Sequence, residues 1–321
     1  MICLRSIGLL LNPHAALQHG ADPIDGKGGI VDSIQERLRR GEVLVGDGAM
    51  GTMLIARGLK IGQPPETINI DHPEILKEIA SLYLNAGADI ISTNTFGASS
   101  LRLEHFHLHP SMFEINQRAV ESVREAVRDQ AYVSASIGPT ARLMPMGDMG
   151  PEEVYNSFQA QMKALWSAGV DLFCIETMTD PEEAVLAIQA ARSLNSGVPI
   201  MATMTFRKTP KGYYTMMGAA IRDAVRRLEE SGADIVGSNC GNGSAMMVEI
   251  AGDFLRYTNL PIAIQSNAGM PAQSEMGLVY PETPEHMSEM AKQLRNLGVK
   301  IIGGCCGTGP EHIRAIYAAI H

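Results

Sequence analysis

Four times along this chain a helical pattern runs into a glycine and then into an apolar run: Ala86-Gly87-Ala88-Asp89, Ala168-Gly169-Val170-Asp171, Ser231-Gly232-Ala233-Asp234 and Leu297-Gly298-Val299-Lys300. Glycine takes a left-handed backbone without steric cost, so it ends a helix just before a strand begins. The recurrence marks a repeating βα unit, and short β-branched runs alternating with longer amphipathic stretches predict parallel strands linked by helices. Apolar runs supply eight strands, near Val43 to Asp47, Ile90 to Thr93, Tyr132 to Ile137, Leu172 to Glu176, Ile200 to Thr205, Ile235 to Cys240, Ile262 to Asn267 and Ile301 to Gly304. An α/β fold with eight such units predicts a single closed (β/α)8 barrel of the TIM type.

An open doubly wound sheet is the competing architecture, because alternation alone does not prove closure. No G-x-G-x-x-G follows a strand and no Walker-type lysine loop is present. The barrel is favoured by its polar residues: Asp47, Asn94, Glu176, Cys240, Asn267 and Cys305 all fall at or just beyond strand C-termini, the rim where barrel active sites assemble. Ser33-Ile34-Gln35-Glu36 reads as a capping box opening a short helix placed to close the barrel bottom. The barrel is therefore assigned to residues 33–321, and residues 1–32 to an N-terminal extension of uncertain order. Its apolar start resembles a signal peptide only superficially, since Asn12-Pro13-His14 interrupts a run too short to cross a bilayer.

Cys240 and the adjacent pair Cys305 and Cys306 carry the chemistry. Three thiolates make an incomplete tetrahedral zinc site, with one position left for water or a substrate atom. Neighbouring strand residues point to opposite faces, so consecutive cysteines meet one ion only where the chain is irregular, as the flanking glycines permit. A disulfide or inert burial is the alternative. Only five cysteines occur in 321 residues, an odd number without a C-x-x-C pattern, which is unlike a secreted disulfide framework and fits a cytoplasmic protein. Cys3 lies in the extension, and Cys174, within Leu172-Phe173-Cys174-Ile175, reads as a buried thiol without chemistry.

At these residues the chain resembles the homocysteine S-methyltransferase family, which includes the homocysteine-binding module of cobalamin-dependent methionine synthase and enzymes using betaine or S-methylmethionine. The resemblance runs from about Val43 to the C-terminus. It rests on Gly46-Asp47-Gly48-Ala49-Met50-Gly51-Thr52, Thr93-Asn94-Thr95-Phe96, Glu176-Thr177, Gly237-Ser238-Asn239-Cys240 and Gly303-Gly304-Cys305-Cys306-Gly307-Thr308. It implies zinc on Cys240, Cys305 and Cys306, with Asp47 and Glu176 on the substrate ammonium and the Gly48-Ala49 turn on its carboxylate. Asn267 is implied as an oxygen ligand of the resting site, or else an ordinary turn asparagine. Asn94 and Asn239 are placed at the substrate pocket, and Thr308 with the Gly307 amide as donors to cysteine sulfur.

The implied reaction methylates homocysteine to methionine. The methyl donor is expected to be methylcobalamin on a separate corrinoid protein, since the chain ends eleven residues after Pro310 and leaves no room for fused domains. S-methylmethionine is the alternative. Betaine is disfavoured because a quaternary ammonium calls for an aromatic cage, and aromatics make up only 5% of the chain, with Phe96, Tyr213 and Tyr214 near rim segments. A noncatalytic zinc-thiol sensor is the reading from another class.

Other features point nowhere further. The 26 basic and 35 acidic side chains give a net charge of −9, which offers no attraction to nucleic acid or anionic membranes. His105, His107 and His109 invite a second metal, with His105 and His109 on one helical face until Pro110 ends it; a solvated helix end is the plainer reading. The 19 methionines, among them Met144, Met146, Met149, Met201, Met204, Met216 and Met217, suit either a donor channel or core filling.

Overall fold

The computed structural model describes residues 32–60, 62–141, 149–274 and 277–321. The extension as far as residue 31, with Cys3, and likewise Met144 and Met146, lie outside the described residues. Eight barrel strands are β1 (Leu44–Val45), β2 (Ile90–Ser92), β3 (Tyr132–Ile137), β4 (Leu172–Met178), β5 (Ile200–Met204), β6 (Ile235–Gly243), β7 (Ile262–Asn267) and β8 (Ile301–Gly304). Each pairs in parallel with its neighbour around the order β1-β8-β7-β6-β5-β4-β3-β2. A parallel bridge from Gly46 to Ile90 brings the two edges together. The expected barrel is therefore observed, with β3, β7 and β8 at the anticipated bounds.

One long helix follows each strand, and those starting at Pro73, Pro151, Pro181, Pro284 and Pro310 carry proline in the first turn, where its missing N–H costs nothing. The recurrent glycines adopt left-handed backbones, with φ of 97° at Gly87, 89° at Gly169, 99° at Gly232 and 102° at Gly298. The aspartates beside them have a role that the sequence pattern did not reveal. Asp89, Asp171 and Asp234 accept the backbone N–H of Val45, Val133 and Ile200 on the preceding strand, at 2.9, 2.7 and 2.7 Å. Arg37, Arg124 and Arg192 pair with the same three carboxylates. In the fourth repeat Lys300 instead donates to the Gly41 carbonyl.

The capping box forms as expected, with Glu36 accepting from the Ser33 N–H at 2.8 Å, and opens the helix Ile34–Arg39. Ile34 and Leu38 pack on Leu44, Ile90, Leu172 and Ile301 at the first residues of the strands, so this helix plugs the barrel bottom. Cys174 belongs to the same cluster and is 1% exposed; burial holds its thiol well above the ordinary range, consistent with an inert core residue.

Two antiparallel hairpins, Arg207–Thr209 with Gly212–Tyr214 and Ala272–Ser274 with Gly277–Val279, rise from the loops after β5 and β7. Their three-residue strands are too short to show a period. The histidine-rich stretch differs from expectation: its helix ends at Glu104, His107 takes φ of 57°, and His109 opens a 3-10 turn, so His105 and His109 share no helical face. Met201 and Met204 are buried, whereas Met216 and Met217 are 61% and 42% exposed, so methionine serves both core and surface. No helix among the described residues is long and apolar enough to cross a membrane.

Candidate active site

Two irregularities in the ladder shape the rim. Between β4 and β5 the register runs from Ile175↔Ala202 to Met178↔Met204, three residues against two. Between β6 and β7 it runs from Asn239↔Gln265 to Gly243↔Asn267, four residues against two. Such bulges turn side chains away from simple alternation. The first carries Glu176 and Thr177, whose φ is 61°; the second carries Cys240, whose φ is 57°. Non-glycine residues rarely hold this backbone, and two of the six that do so among the described residues, Thr177 and Cys240, fall in these two bulges.

Cys305 and Cys306 follow β8 directly, in a turn braced against β7: Cys305 N–H donates to Ser266 O at 2.7 Å and Ala268 N–H to Cys306 O at 2.9 Å. The turn lets adjacent cysteines face one point. The sulfurs of Cys240, Cys305 and Cys306 lie within 4.8 Å of one another, and those of Cys240 and Cys306 are 3.9 Å apart. Zinc–sulfur bonds of about 2.3 Å in tetrahedral geometry put ligand sulfurs ~3.8 Å apart, so the cluster fits that ion. Among the described residues it is the one such group. As three thiols alone they cannot all ionise: hydrogen bonds from Cys240 and Cys305 hold Cys306 down at about 3, while Cys305 is held well up. Asn267 on β7 is 4% exposed, and its Oδ1 is buried without a partner, so an oxygen ligand is available there.

The cysteines open onto a cavity of about 430 Å³ shared with Asp47, Gly48, Ala49, Asn94 and Glu176. A hollow of about 470 Å³ near Arg256 is larger, but it adjoins the residues that precede β6 and β7, away from the cysteines, so size does not select the site. Asp47 accepts from Ser92 N–H at 2.7 Å and Ser92 Oγ at 3.0 Å. Burial pushes its carboxyl up to about 7, against the Ser92 hydrogen bonds and reinforced by Glu176. Burial likewise pushes Glu176 up to about 6, against a hydrogen bond from Ser136. One buried and one half-buried carboxylate, with no basic partner among the described residues, suit a cationic ligand group.

Asn239 donates to Glu176 Oε2 at 3.0 Å and Thr177 Oγ1 at 2.8 Å, and accepts from Thr177 N–H and Thr203 Oγ1. All four of its hydrogen-bonding positions are used within the protein, and Asn239 is not among the residues lining the cavity, so its bond here serves to orient Glu176. Asn94 lines the cavity, but its Nδ2 is spent on Pro65 O and Asn69 Oδ1. The Ala49 amide donates to Thr308 O at 3.0 Å, leaving Gly48 as the member of the turn not consumed by that bond. A Cβ at Gly48 would fall 2.6 Å from Thr308 O and 2.9 Å from Tyr83 Oη, so only glycine fits.

The expected donors to cysteine sulfur are engaged elsewhere. Thr308 Oγ1 donates to the Cys305 carbonyl at 2.6 Å, and Gly307 N–H to Thr52 Oγ1 at 3.2 Å. The group that helps hold the Cys306 thiol down is instead the hydroxyl of Tyr280, whose ring packs so closely on Gly307 that a Cβ there would lie 2.1 Å from Cγ. Tyr280 carries no motif and is not legible from sequence.

The raised carboxyls predict a stability effect. Glu176 is favoured in its protonated form by the fold, so its contribution is present below its ordinary value of 4.5 and is lost as pH rises through about 6. Glu176→Gln keeps both hydrogen bonds, because the Ser136 hydroxyl can reverse its role. The variant is expected to unfold later than the parent at pH 8, by about 1 kcal/mol since Glu176 is only half-buried, and to show no gain at pH 4. Thermal melts at the two pH values test this.

The homocysteine S-methyltransferase family model matches residues 44–320. The chain is 29% identical over 295 residues to methionine synthase of Mycobacterium tuberculosis (strain ATCC 25618 / H37Rv), covering 87% of this chain and 24% of that protein. It is 32% identical over 319 residues to betaine–homocysteine S-methyltransferase 1 of Danio rerio, covering 92% and 76%. Its fold is that of the metallated homocysteine methyltransferase MmuM from Escherichia coli, with a TM-score of 0.76 at 22% identity, covering 89% of this chain and 99% of that one. The chain thus spans about a quarter of the methionine synthases it matches. It belongs to the homocysteine S-methyltransferase family.

Proposed function

We infer that this protein is a zinc-dependent enzyme that methylates homocysteine to methionine, working in the cytoplasm. The observation that carries the reading is the meeting, in one cavity, of three cysteine sulfurs with two carboxyls held up by burial. The first group binds a soft metal and the second an ammonium, at the two ends of a small amino-thiol. Three thiols this close stay reduced only in a reducing compartment.

Cys240, Cys305 and Cys306 would hold zinc, with Asn267 as its oxygen ligand at rest. Zinc bound there supplies a deprotonated substrate sulfur at neutral pH, where a free thiol is mostly protonated. Asp47 and Glu176, ionised, accept the substrate ammonium, and the Gly48 amide meets its carboxylate. Anchoring both charged groups leaves the sulfur one direction to face. Its electron pair forms the bond to the methyl carbon as the bond to the donor breaks, the donor keeping that pair.

For the donor, the methionine synthase relatives support a corrinoid protein acting in trans. An aromatic cage for betaine is poorly supported. Phe96 lines the cavity, but its ring is already packed on Gly138, where a Cβ would meet it at 2.5 Å, and carries the Arg102 guanidinium 5.3 Å from its centre. The Tyr213 hydroxyl bonds Glu249, with Lys208 over its ring.

The test is a donor screen on zinc-loaded protein with homocysteine, following methionine directly. Methylcobalamin, free or on a corrinoid protein, is expected to support turnover. Turnover with S-methylmethionine alone would move the assignment to that sulfonium, and stoichiometric homocysteine binding without transfer from any donor would make the protein a sensor.

A further inference from the structure

We propose that Gln265 is a third acceptor for the substrate ammonium and makes the site selective for thiols that carry an amino group. The proposal deepens the homocysteine reading and rests on it.

Gln265 lies on β7 between Asn239 of β6 and Gly303 of β8 in the ladder. It lines the same cavity as Asp47, Glu176 and the three cysteines. The residue is 7% exposed, and its Oε1 is buried with no hydrogen-bond partner. A buried acceptor without a partner is destabilising, so its persistence in a ligand cavity points to a donor that arrives with the ligand.

Two glycines explain how the side chain reaches the right place. A Cβ at Gly303 would lie 3.0 Å from Gly46 Cα, and one at Gly46 would lie 3.6 Å from Gln265 Nε2. With neither Cβ present, the Gln265 amide lies beside Gly46, the residue before Asp47; its nitrogen takes the Gly46 side, and its oxygen is the atom left without a partner. The glycines of the Gly46-Asp47-Gly48 and Gly303-Gly304 motifs thus acquire a reason beyond turn geometry. An ammonium has three N–H bonds, and Asp47 and Glu176 supply charged acceptors for two of them. Both carboxylates are already fixed from behind, by Ser92 and by Ser136 with Asn239. The Gln265 amide oxygen supplies the acceptor for the third bond.

The experiment is calorimetric titration of the zinc-loaded full chain with homocysteine and with 4-mercaptobutanoate, which has the same thiol and carboxylate but no amino group. Gln265→Met keeps the volume and removes the acceptor. It is expected to weaken homocysteine binding about tenfold to a hundredfold, and that of 4-mercaptobutanoate by less than about threefold. Equal losses for the two ligands, or no loss for homocysteine, overturn the proposal. Gln265→Glu, isosteric and independent of whether the methionine variant folds, keeps an acceptor and should retain the preference for homocysteine; a lost preference also overturns it. If the unmodified protein binds no homocysteine, the functional reading itself fails and this proposal with it, whereas normal binding with unselective variants removes this proposal alone.

Discussion

Cys306→Ala is expected to leave the barrel folded, strip it of zinc, and lower methyl transfer to homocysteine by at least about a thousandfold. The fold should survive because the turn after β8 is braced by backbone bonds, Cys305 N–H to Ser266 O and Ala268 N–H to Cys306 O, which the substitution leaves intact. The metal should not survive, since only two sulfurs remain, one on β6 and one in the turn after β8, and Asn267 adds only a neutral oxygen. Metal content by mass spectrometry, far-ultraviolet circular dichroism and methionine formation read the three outcomes separately. Cys174→Ala is the control: that thiol sits in the bottom cluster and should leave metal content unchanged. A Cys306 variant that keeps a full zinc equivalent and normal turnover would falsify the ligand assignment.

Gly237→Ala should be the most damaging single methyl group in the barrel, costing more than about 4 kcal/mol or preventing folding. Gly237 pairs with Ala263 across β6 and β7, and a Cβ there would stand 1.8 Å from Ala263 O and 2.7 Å from its carbonyl carbon. Both are backbone atoms of a buried strand, so relief requires the strands to part. Those strands carry Cys240 and Gln265, and the site would be lost with the ladder. Gly252→Ala makes the contrast: it lies in the helix Ser244–Phe254 with nothing within 4 Å of a Cβ, and should be neutral or stabilising by about 0.5–1 kcal/mol. Urea unfolding of the two variants measures the difference. Equal stabilities would mean that the approach of β6 to β7 is looser than described.

The barrel was legible because its repeating unit is written in local chemistry. A left-handed glycine after each of four helices needs no tertiary context, and neither does the capping box at Ser33. The strand ends were less legible, since β4 and β6 run past their apolar stretches through bulges at Glu176 and Cys240, where the register depends on the neighbouring strand. The cysteine cluster could be read because adjacent thiols between glycines have few structural uses. Asp47 and Glu176 could be located, but not their shared displacement toward neutral pH, which arises from burial that only the folded chain creates.

Other parts of the site had no signal to read. Tyr280 reaches Cys306 only because the segment after the second hairpin folds back over Gly307, and no local pattern encodes that return. Thr308 and Gly307 sat at plausible positions for bonding sulfur, yet a carbonyl and a threonine hydroxyl claimed their protons. Asn239 shows the same limit in reverse, since only its complete set of partners shows that nothing is left over for a ligand.

The plug formed by Ile34 and Leu38 also dictates traffic. With the base of the barrel sealed, the rim is the way in: Asp47 at 2% exposure and Phe106 at 44% both line the cavity there. A ligand of this cavity is thus served from the rim alone, with the shielded carboxyl of Asp47 and the exposed ring of Phe106 on the same wall.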